Sequence, residues 1–425
     1  MGIFELQTNK NDNLDLFFDE YQKNNLIKIK NDFKSYFEKI DQEIFLSSWR
    51  KNRGYIPDGF KFRTILTIYG RITFKRRVYK YWNKTKYNYV FLTDKKLQIE
   101  RYSRITSHLK FKILEQIATG KRQRDICDMF TCSNLTRTTV SNIIKSFNFQ
   151  ASFKDVTKDI AKVKIPKYLY FNMDETYIKL RKDNKINKYR IRLVTSHTGY
   201  NTLYSTQKRK VLANKRVYFQ LIPISKKIKT VKFMSSLKRI AKQYYSNIDD
   251  INVIICGDGA SWIREANNYW PNSKYILDKF HATRYLKQVF PNKKNKLNLQ
   301  SYQNSKNLFE AGAYNDLINQ LKQITPKPGK QEKLTKIITY FTNNATGIIN
   351  QKLKCNIGVS AEADISHIIK WLLGYGCKVF NHQTFKNMLY LKTAEINQLN
   401  LIRFLKEQNQ LARESIKNFY WKTIN

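Results

Sequence analysis

Tyr168-Leu169-Tyr170-Phe171-Asn172-Met173-Asp174 and Ile251-Asn252-Val253-Ile254-Ile255-Cys256-Gly257-Asp258-Gly259-Ala260-Ser261-Trp262 decide the fold. Each opens with a short run of mostly apolar residues, rich in aromatic or β-branched side chains, and each run leads to an aspartate. Runs of this kind read as strands buried on both faces of a sheet. Around them the pattern alternates: residues 189–194 and 217–222 read as strands, 231–245 as a helix, 261–270 as a helix, 275–277 as a strand, and a helix starts near His281.

Three strands, a helix, a strand, a helix and a strand is the order expected of an RNase H-like core, which makes the fold class α/β. The basic stretch ending at Pro166 marks its start, so residues 158–296 are expected to form the first part of a catalytic core. Residues 297–355 contain no convincing strand and read as an all-helical insertion, interrupted at Thr325-Pro326-Lys327-Pro328-Gly329. Helical signal resumes near Ala361, so residues 356–425 are expected to return to the core.

Asp174 and Asp258 are expected at the ends of their strands, where ligand sites of open α/β sheets lie. Two carboxylates on neighbouring strands repel unless a cation binds between them. The glycines flanking Asp258 would let backbone or substrate come close. Between Asp183 and Asp249 there is no Asp or Glu, while Lys and Arg abound. A substrate phosphate could thus reach the acidic pair across basic flanks, as in two-metal sites with ions roughly 3.5–4 Å apart. A third carboxylate is wanted from a later helix. Glu362, in Val359-Ser360-Ala361-Glu362-Ala363-Asp364-Ile365-Ser366-His367, is the first candidate and Asp364 its near rival. The plainer reading of Glu362, an acid offsetting a helix dipole, is the stronger one on local sequence alone.

The chain has 425 residues, with 78 Lys+Arg against 33 Asp+Glu for a net charge of +45, so a polyanion such as nucleic acid is the expected partner. Hydrophobic content of 42% and aromatic content of 14% supply a core and exclude wholesale disorder. No apolar run approaches the roughly 18–20 residues of a membrane span. Met1-Gly2-Ile3-Phe4-Glu5-Leu6 has no signal-peptide core, and Leu6 stands where myristoylation needs Ser or Thr. Cys127, Cys132, Cys256, Cys355 and Cys377 form no CxxC pair, which argues for reduced thiols and against a zinc ribbon. The expected location is cytoplasmic and nucleoid-associated, with no membrane partner.

The first 157 residues divide into three expected regions. Residues 1–60 read as a helical segment, two helices over 12–50, with apolar positions at three- and four-residue steps. Residues 61–100 read as a basic β-hairpin turning near Gly70, in which Lys75, Arg76 and Arg77 interleave with Phe74 and Tyr79 and could track phosphates while rings stack on bases. A solvated strand face is an equally good reading of the same pattern. Residues 101–157 read as helical, with a helix-turn-helix-like pair at 122–130 and 135–144. Arg122, Arg124, Thr136, Arg137 and Thr138 are its candidate DNA contacts.

Segments 168–176, 254–266, 276–286 and 360–367 resemble the corresponding blocks of the ISLre-type bacterial insertion-sequence transposases, DDE enzymes of the RNase H-like superfamily. The resemblance is most specific at Gly257-Asp258-Gly259-Ala260-Ser261-Trp262-Ile263 followed by Leu277-Asp278-Lys279-Phe280-His281. It extends to Ile68-Tyr69-Gly70 with Arg76-Arg77-Val78-Tyr79, and covers most of residues 60–370. It implies a catalytic domain interrupted by a helical insertion, with Asp174, Asp258 and Glu362 as the three metal-binding catalytic acids. Asp278 and His281 match a D-x-x-H signature of related transposases. His281 is read as a phosphate or DNA contact.

The expected function is therefore two-metal DNA cleavage and strand transfer, with Mg²⁺ (or Mn²⁺ in its place), on element terminal repeats and target DNA. A dimer or larger homo-oligomer is expected, since two ends must be joined. The alternatives are a structure-selective nuclease on the same core and a decayed, non-catalytic DNA-binding relative.

Overall fold

The computed structural model describes residues 13–226, 229–290, 296–325, 329, 331–374 and 378–422. Met1–Leu6, Pro326–Pro328 and Cys377 lie outside them, and the other four cysteines are free thiols. The chain separates into two compact units. One gathers residues through Ile117, Lys121–Ile143 and the residues from Leu405; the other holds Ala118–Gly120 and Ile144–Phe404. The end of the expected 101–157 region, helix Phe149–Val156, thus belongs to the second unit, and most of the last helix, Leu401–Lys422, to the first.

The first unit opens with two helices, as expected over 12–50, but of very unequal length, Leu14–Leu46 and Ser48–Asn52. The stretch contains neither Gly nor Pro, so nothing breaks it before Ser47, whose extended backbone ends the helix and whose Oγ accepts from the N–H of Arg50 at 3.3 Å to start Ser48–Asn52. Strands β1 (Ile56–Thr67), β2 (Gly70–Trp82) and β3 (Tyr87–Val90) form an antiparallel sheet in that order. The turn falls at Gly70, as expected, with Thr67 opposite Gly70 and a backbone φ of +101°. The hairpin begins earlier than the sequence pattern showed, and β3 was not foreseen, being only four residues long. Ile65, Ile72 and Phe74 make the buried face, on which Phe37 of the long helix packs 5.0 Å from Phe74. The same helix closes part of the open edge of β2: the N–H groups of Lys75 and Arg77 donate to Glu38 Oε1 and Asp41 Oδ1, both at 2.9 Å.

The second unit is built on a mixed sheet in the order β6-β5-β4-β7-β8, where β4 is Tyr168–Lys182, β5 Lys185–His197, β6 Arg216–Pro223, β7 Asn252–Gly257 and β8 Ser273–Leu277. A two-residue strand, β9 (Phe380–Asn381), pairs with the far end of β4. β4, β5 and β6 are antiparallel, while β7 and β8 run parallel to β4. Asp183 and Asn184, both at positive φ, make the two-residue turn from β4 to β5. Successive β6 residues serve opposite faces. Tyr218 meets Phe233 of helix Thr230–Tyr244 at 5.7 Å, and Phe219 meets Tyr390 of helix His382–Ile396 at 4.9 Å.

One expectation is corrected here. Asp174 does not end its strand, because β4 continues for eight residues beyond it in register with β5. What ends there is the parallel neighbour: the β4–β7 pairing stops at Met173 opposite Gly257, so Asp174 emerges where β7 gives way to its loop.

The 297–355 region is helical throughout its described residues, with helices Lys296–Glu310, Tyr314–Lys322, Gln331–Asn343 and Ala345–Ile349. Its end covers the open edge of β8. Asn350 Nδ2 donates to the carbonyl of Tyr275 at 2.8 Å and Gln351 Nε2 to that of Leu277 at 2.7 Å. Among the described residues no helix is long and apolar enough to cross a membrane.

Candidate metal centre

The carboxyl ends of β7 and β8 and the middle of β4 open onto one spot. Asp174 is 5% exposed, and one of its oxygens accepts from the N–H of Glu175 at 2.7 Å. Asp258 follows β7. Its Oδ1 accepts from the N–H of Ala260 at 3.0 Å, its carbonyl accepts from the Tyr340 hydroxyl at 2.8 Å, and Gly259 turns the chain at φ +93°. A side chain at Gly259 would collide with Asn344, and one at Gly257 with the Met173 carbonyl, so this loop requires both glycines. Asp278 caps helix Lys279–Val289 by accepting from the N–H of Phe280 at 2.9 Å. One turn on, His281 faces back, with Nε2 3.9 Å from Asp278 Oδ2.

Donor atoms of Asp174, His281 and Glu362 all lie within 4.8 Å of one another. Glu362 comes from the first turn of helix Ala361–Asp364, which runs on as a π-helical stretch, Ile365–Lys370. Asp364 takes a different part. It is buried, receives Lys215 Nζ at 2.5 Å and the Ser360 hydroxyl at 3.0 Å, and Ser360 in turn accepts from Asn172 Nδ2 at 2.9 Å. Asp364 is thus committed to an anchor that ties this helix to β4, and Glu362 is left facing Asp174. The anchor residues Asn172, Ser360 and Lys215 were not singled out from the sequence; a lone Asn in the apolar run of β4 was the available signal. Glu362 itself meets Lys370 Nζ at 3.0 Å.

The electrostatics follow from crowding. The carboxyl of Asp174 is pushed up to about 7, first by burial, then by the charge of Asp258, with Glu362 and Asp278 adding to it; the Glu175 N–H pulls the other way. Asp278 is also raised, chiefly by burial. In a chain with 78 Lys+Arg, no Lys or Arg among the described residues comes within ion-pair distance of Asp174 or Asp258. Two carboxylates and an imidazole converging on one point, uncompensated by basic side chains at its buried end, is a donor set that suits a divalent cation. Asp258 stands outside the three-residue group and enters through its charge on Asp174.

The chain matches, over residues 23–402, the model of an uncharacterised protein family, UPF0236. It belongs to the UPF0236 family. Among its relatives in Caldanaerobacter subterraneus subsp. tengcongensis, UPF0236 protein TTE2489 is 25% identical, covering 89% of this chain and 80% of its own. Another UPF0236 protein there, whose name joins eleven locus labels from TTE0033 to TTE2212, is 24% identical over 85% of this chain and 73% of its own.

In this UPF0236 chain the residues expected to meet DNA fall into two groups. Arg76 is corrected: it is 5% exposed, ion-paired with Asp94 and laid over the Phe91 ring, so it is spent inside the unit. Arg77 is largely inward too, bonding Asp41 Oδ2 at 2.6 Å and Gln42 at 2.7 Å. Phe74 and Tyr79, expected as stacking rings, are fully buried. From Ile72 to Val78 the even-numbered residues of β2 face the core, which removes Phe74 and Arg76 together. Lys75 remains exposed. In the helix pair, Gln123–Met129 and Arg137–Lys145, the side chains of Thr136, Arg137 and Thr138 are exposed and Arg124 is open to solvent, while Arg122 is held by Asp125 at 2.9 Å.

Proposed function

We propose that this UPF0236 protein is a DNA transposase of the ISLre-type insertion-sequence class, acting through a metal-dependent DDE site on an RNase H-like core. One observation carries the proposal: Asp174, His281 and Glu362, far apart in sequence, converge within 4.8 Å beside Asp258 in a chain that is otherwise strongly basic. The strand order supports the core reading. Numbered within the sheet it is 3-2-1-4-5, with the first three strands antiparallel and the last two parallel, and the helices of 296–352 intervene before Glu362 as an insertion would. The joined locus labels in a relative's name support mobility, since one protein carried at many loci of one genome is what a self-copying element leaves behind.

Mg²⁺ or Mn²⁺ would be held by Asp174 and Glu362, with His281 beside them and Asp258 lining the same space. Such an ion activates an attacking oxygen and stabilises a leaving one. The chain's own residues would position it: the Asp364–Lys215 anchor sets Glu362, and Asp278 sets the helix that presents His281. The basic surface would hold DNA in a nucleoid-associated, cytoplasmic protein that pairs two ends as a dimer or larger assembly.

The test is strand transfer. With Mg²⁺ and DNA carrying the element ends, the wild-type chain should cleave and join, and Asp174→Asn and Glu362→Gln should lose both steps while still binding DNA. Retained cleavage in Asp174→Asn or Asp258→Asn defeats the assignment, and cleavage without joining makes the protein a nuclease.

A further inference from the structure

We propose that the solvent face of β1 and β2, led by Phe60 and Phe62, is a stacking platform for single-stranded DNA. Phe60 is 49% and Phe62 71% exposed. As alternate residues of β1 they share a face, and in register they lie opposite Arg77 and Lys75. Lys75 Nζ lies 4.4 Å from the centre of the Phe60 ring, and the Arg77 guanidinium 4.8 Å from it. The core of this unit uses the other face, through Ile65, Ile72 and Phe74, so core packing gives the 71% exposed Phe62 no reason to be aromatic.

The chemistry of the patch selects its occupant. Two exposed rings beside the Lys75 ammonium offer π-faces to bases and charge to phosphates, the combination by which single strands are held without sequence readout, while Arg77, already bonded to Asp41, only backs the Phe60 ring. A duplex keeps its base faces stacked on each other. An apolar protein surface would have to desolvate the Lys75 ammonium, which makes no ion pair with a carboxylate among the described residues; Glu38 is taken up by the Lys75 N–H. The choice of DNA over RNA rests on the function proposed above, in which strand cleavage exposes single-stranded ends.

The experiment is fluorescence anisotropy with the full chain in EDTA, so that cleavage plays no part. The probes are oligothymidylate of about 16 nucleotides, oligouridylate of the same length and a blunt duplex. Phe62→Ala should weaken oligothymidylate binding about ten-fold with its salt slope unchanged, and Phe62→Tyr should restore it. Lys75→Ala should lower the slope of log K against log salt by about 0.7. Asp174→Asn should bind as wild type, so loss of cleavage and loss of the platform are read separately. The proposal is overturned if Phe62→Ala binds oligothymidylate as wild type does, if it weakens duplex binding equally, or if oligouridylate binds more tightly than oligothymidylate. Both Phe rings are exposed, and unchanged circular dichroism will separate lost binding from lost folding.

Discussion

Asp174 has a stability cost that its position imposes. Its carboxyl titrates near 7 in the folded chain against 3.8 when unfolded, so between those values the folded state holds the extra proton. The contribution is fully present below pH 3.8 and lost as pH rises through 7, a change on the order of 4 kcal/mol if no ion is bound. Metal-free protein should therefore melt at lower temperature at pH 8 than at pH 5, and Asp174→Asn should flatten that dependence and stabilise the metal-free chain at pH 8. Thermal unfolding in EDTA across this range measures it. Mn²⁺ should raise the melting temperature more at pH 8 than at pH 6, because protons compete for the same oxygens. Glu362 and Asp364 are separated by a single residue, yet they should respond oppositely to substitution. Glu362→Gln should lose Mn²⁺ binding by calorimetry with little change in melting, since the ion pair it gives up is with the half-exposed Lys370. Asp364→Asn should lower the melting temperature first, since it weakens an anchor of four side chains, Asp364, Lys215, Ser360 and Asn172.

Among the elements, β2 shows how strand alternation decides which basic residues are available. Lys75 and Arg76 are equivalent in composition, and the pleat sends one out and the other in. Burial lowers the Arg76 guanidinium and raises the Asp94 carboxyl, so both partners are pushed toward neutrality and desolvation outweighs their attraction. Arg76→Ala should cost about 3 kcal/mol by leaving buried Asp94 with only the longer 3.9 Å contact to Arg63, whereas Arg76→Met with Asp94→Leu should cost less. A double-mutant cycle in urea decides this; equal losses in the single and double variants would mean the pair is a net stabiliser. The helix pair, the hairpin turn at Gly70 and most strands of the second unit were legible from periodicity and glycine. The length of β4 was not, because its second half, from Glu175 onward, is a two-sided amphipathic ribbon with charged residues on the exposed positions.

At the scale of the molecule, the charge of +45 is the excess of 78 basic over 33 acidic side chains, so most basic residues have no acidic partner to offset them. DNA affinity should fall steeply with salt, by roughly 10³-fold or more between 50 and 200 mM if six or more phosphates are neutralised, and a log–log titration reads that number directly. A shallow slope would place the charge outside the binding surface.

The sequence by itself determined that the chain has a core, that its second half alternates strands and helices, and that Asp174 and Asp258 follow apolar strands, because periodicity and composition are local properties. Tertiary structure decided the rest. Only the parallel pairing of β4 with β7 sets Asp174 beside Asp258, and only the anchor through Asp364 turns Glu362 rather than its neighbour toward them. Local sequence cannot choose between two acids one residue apart on a helix, since that choice belongs to the residues packed against it: Asn172 on β4 and Lys215 before β6.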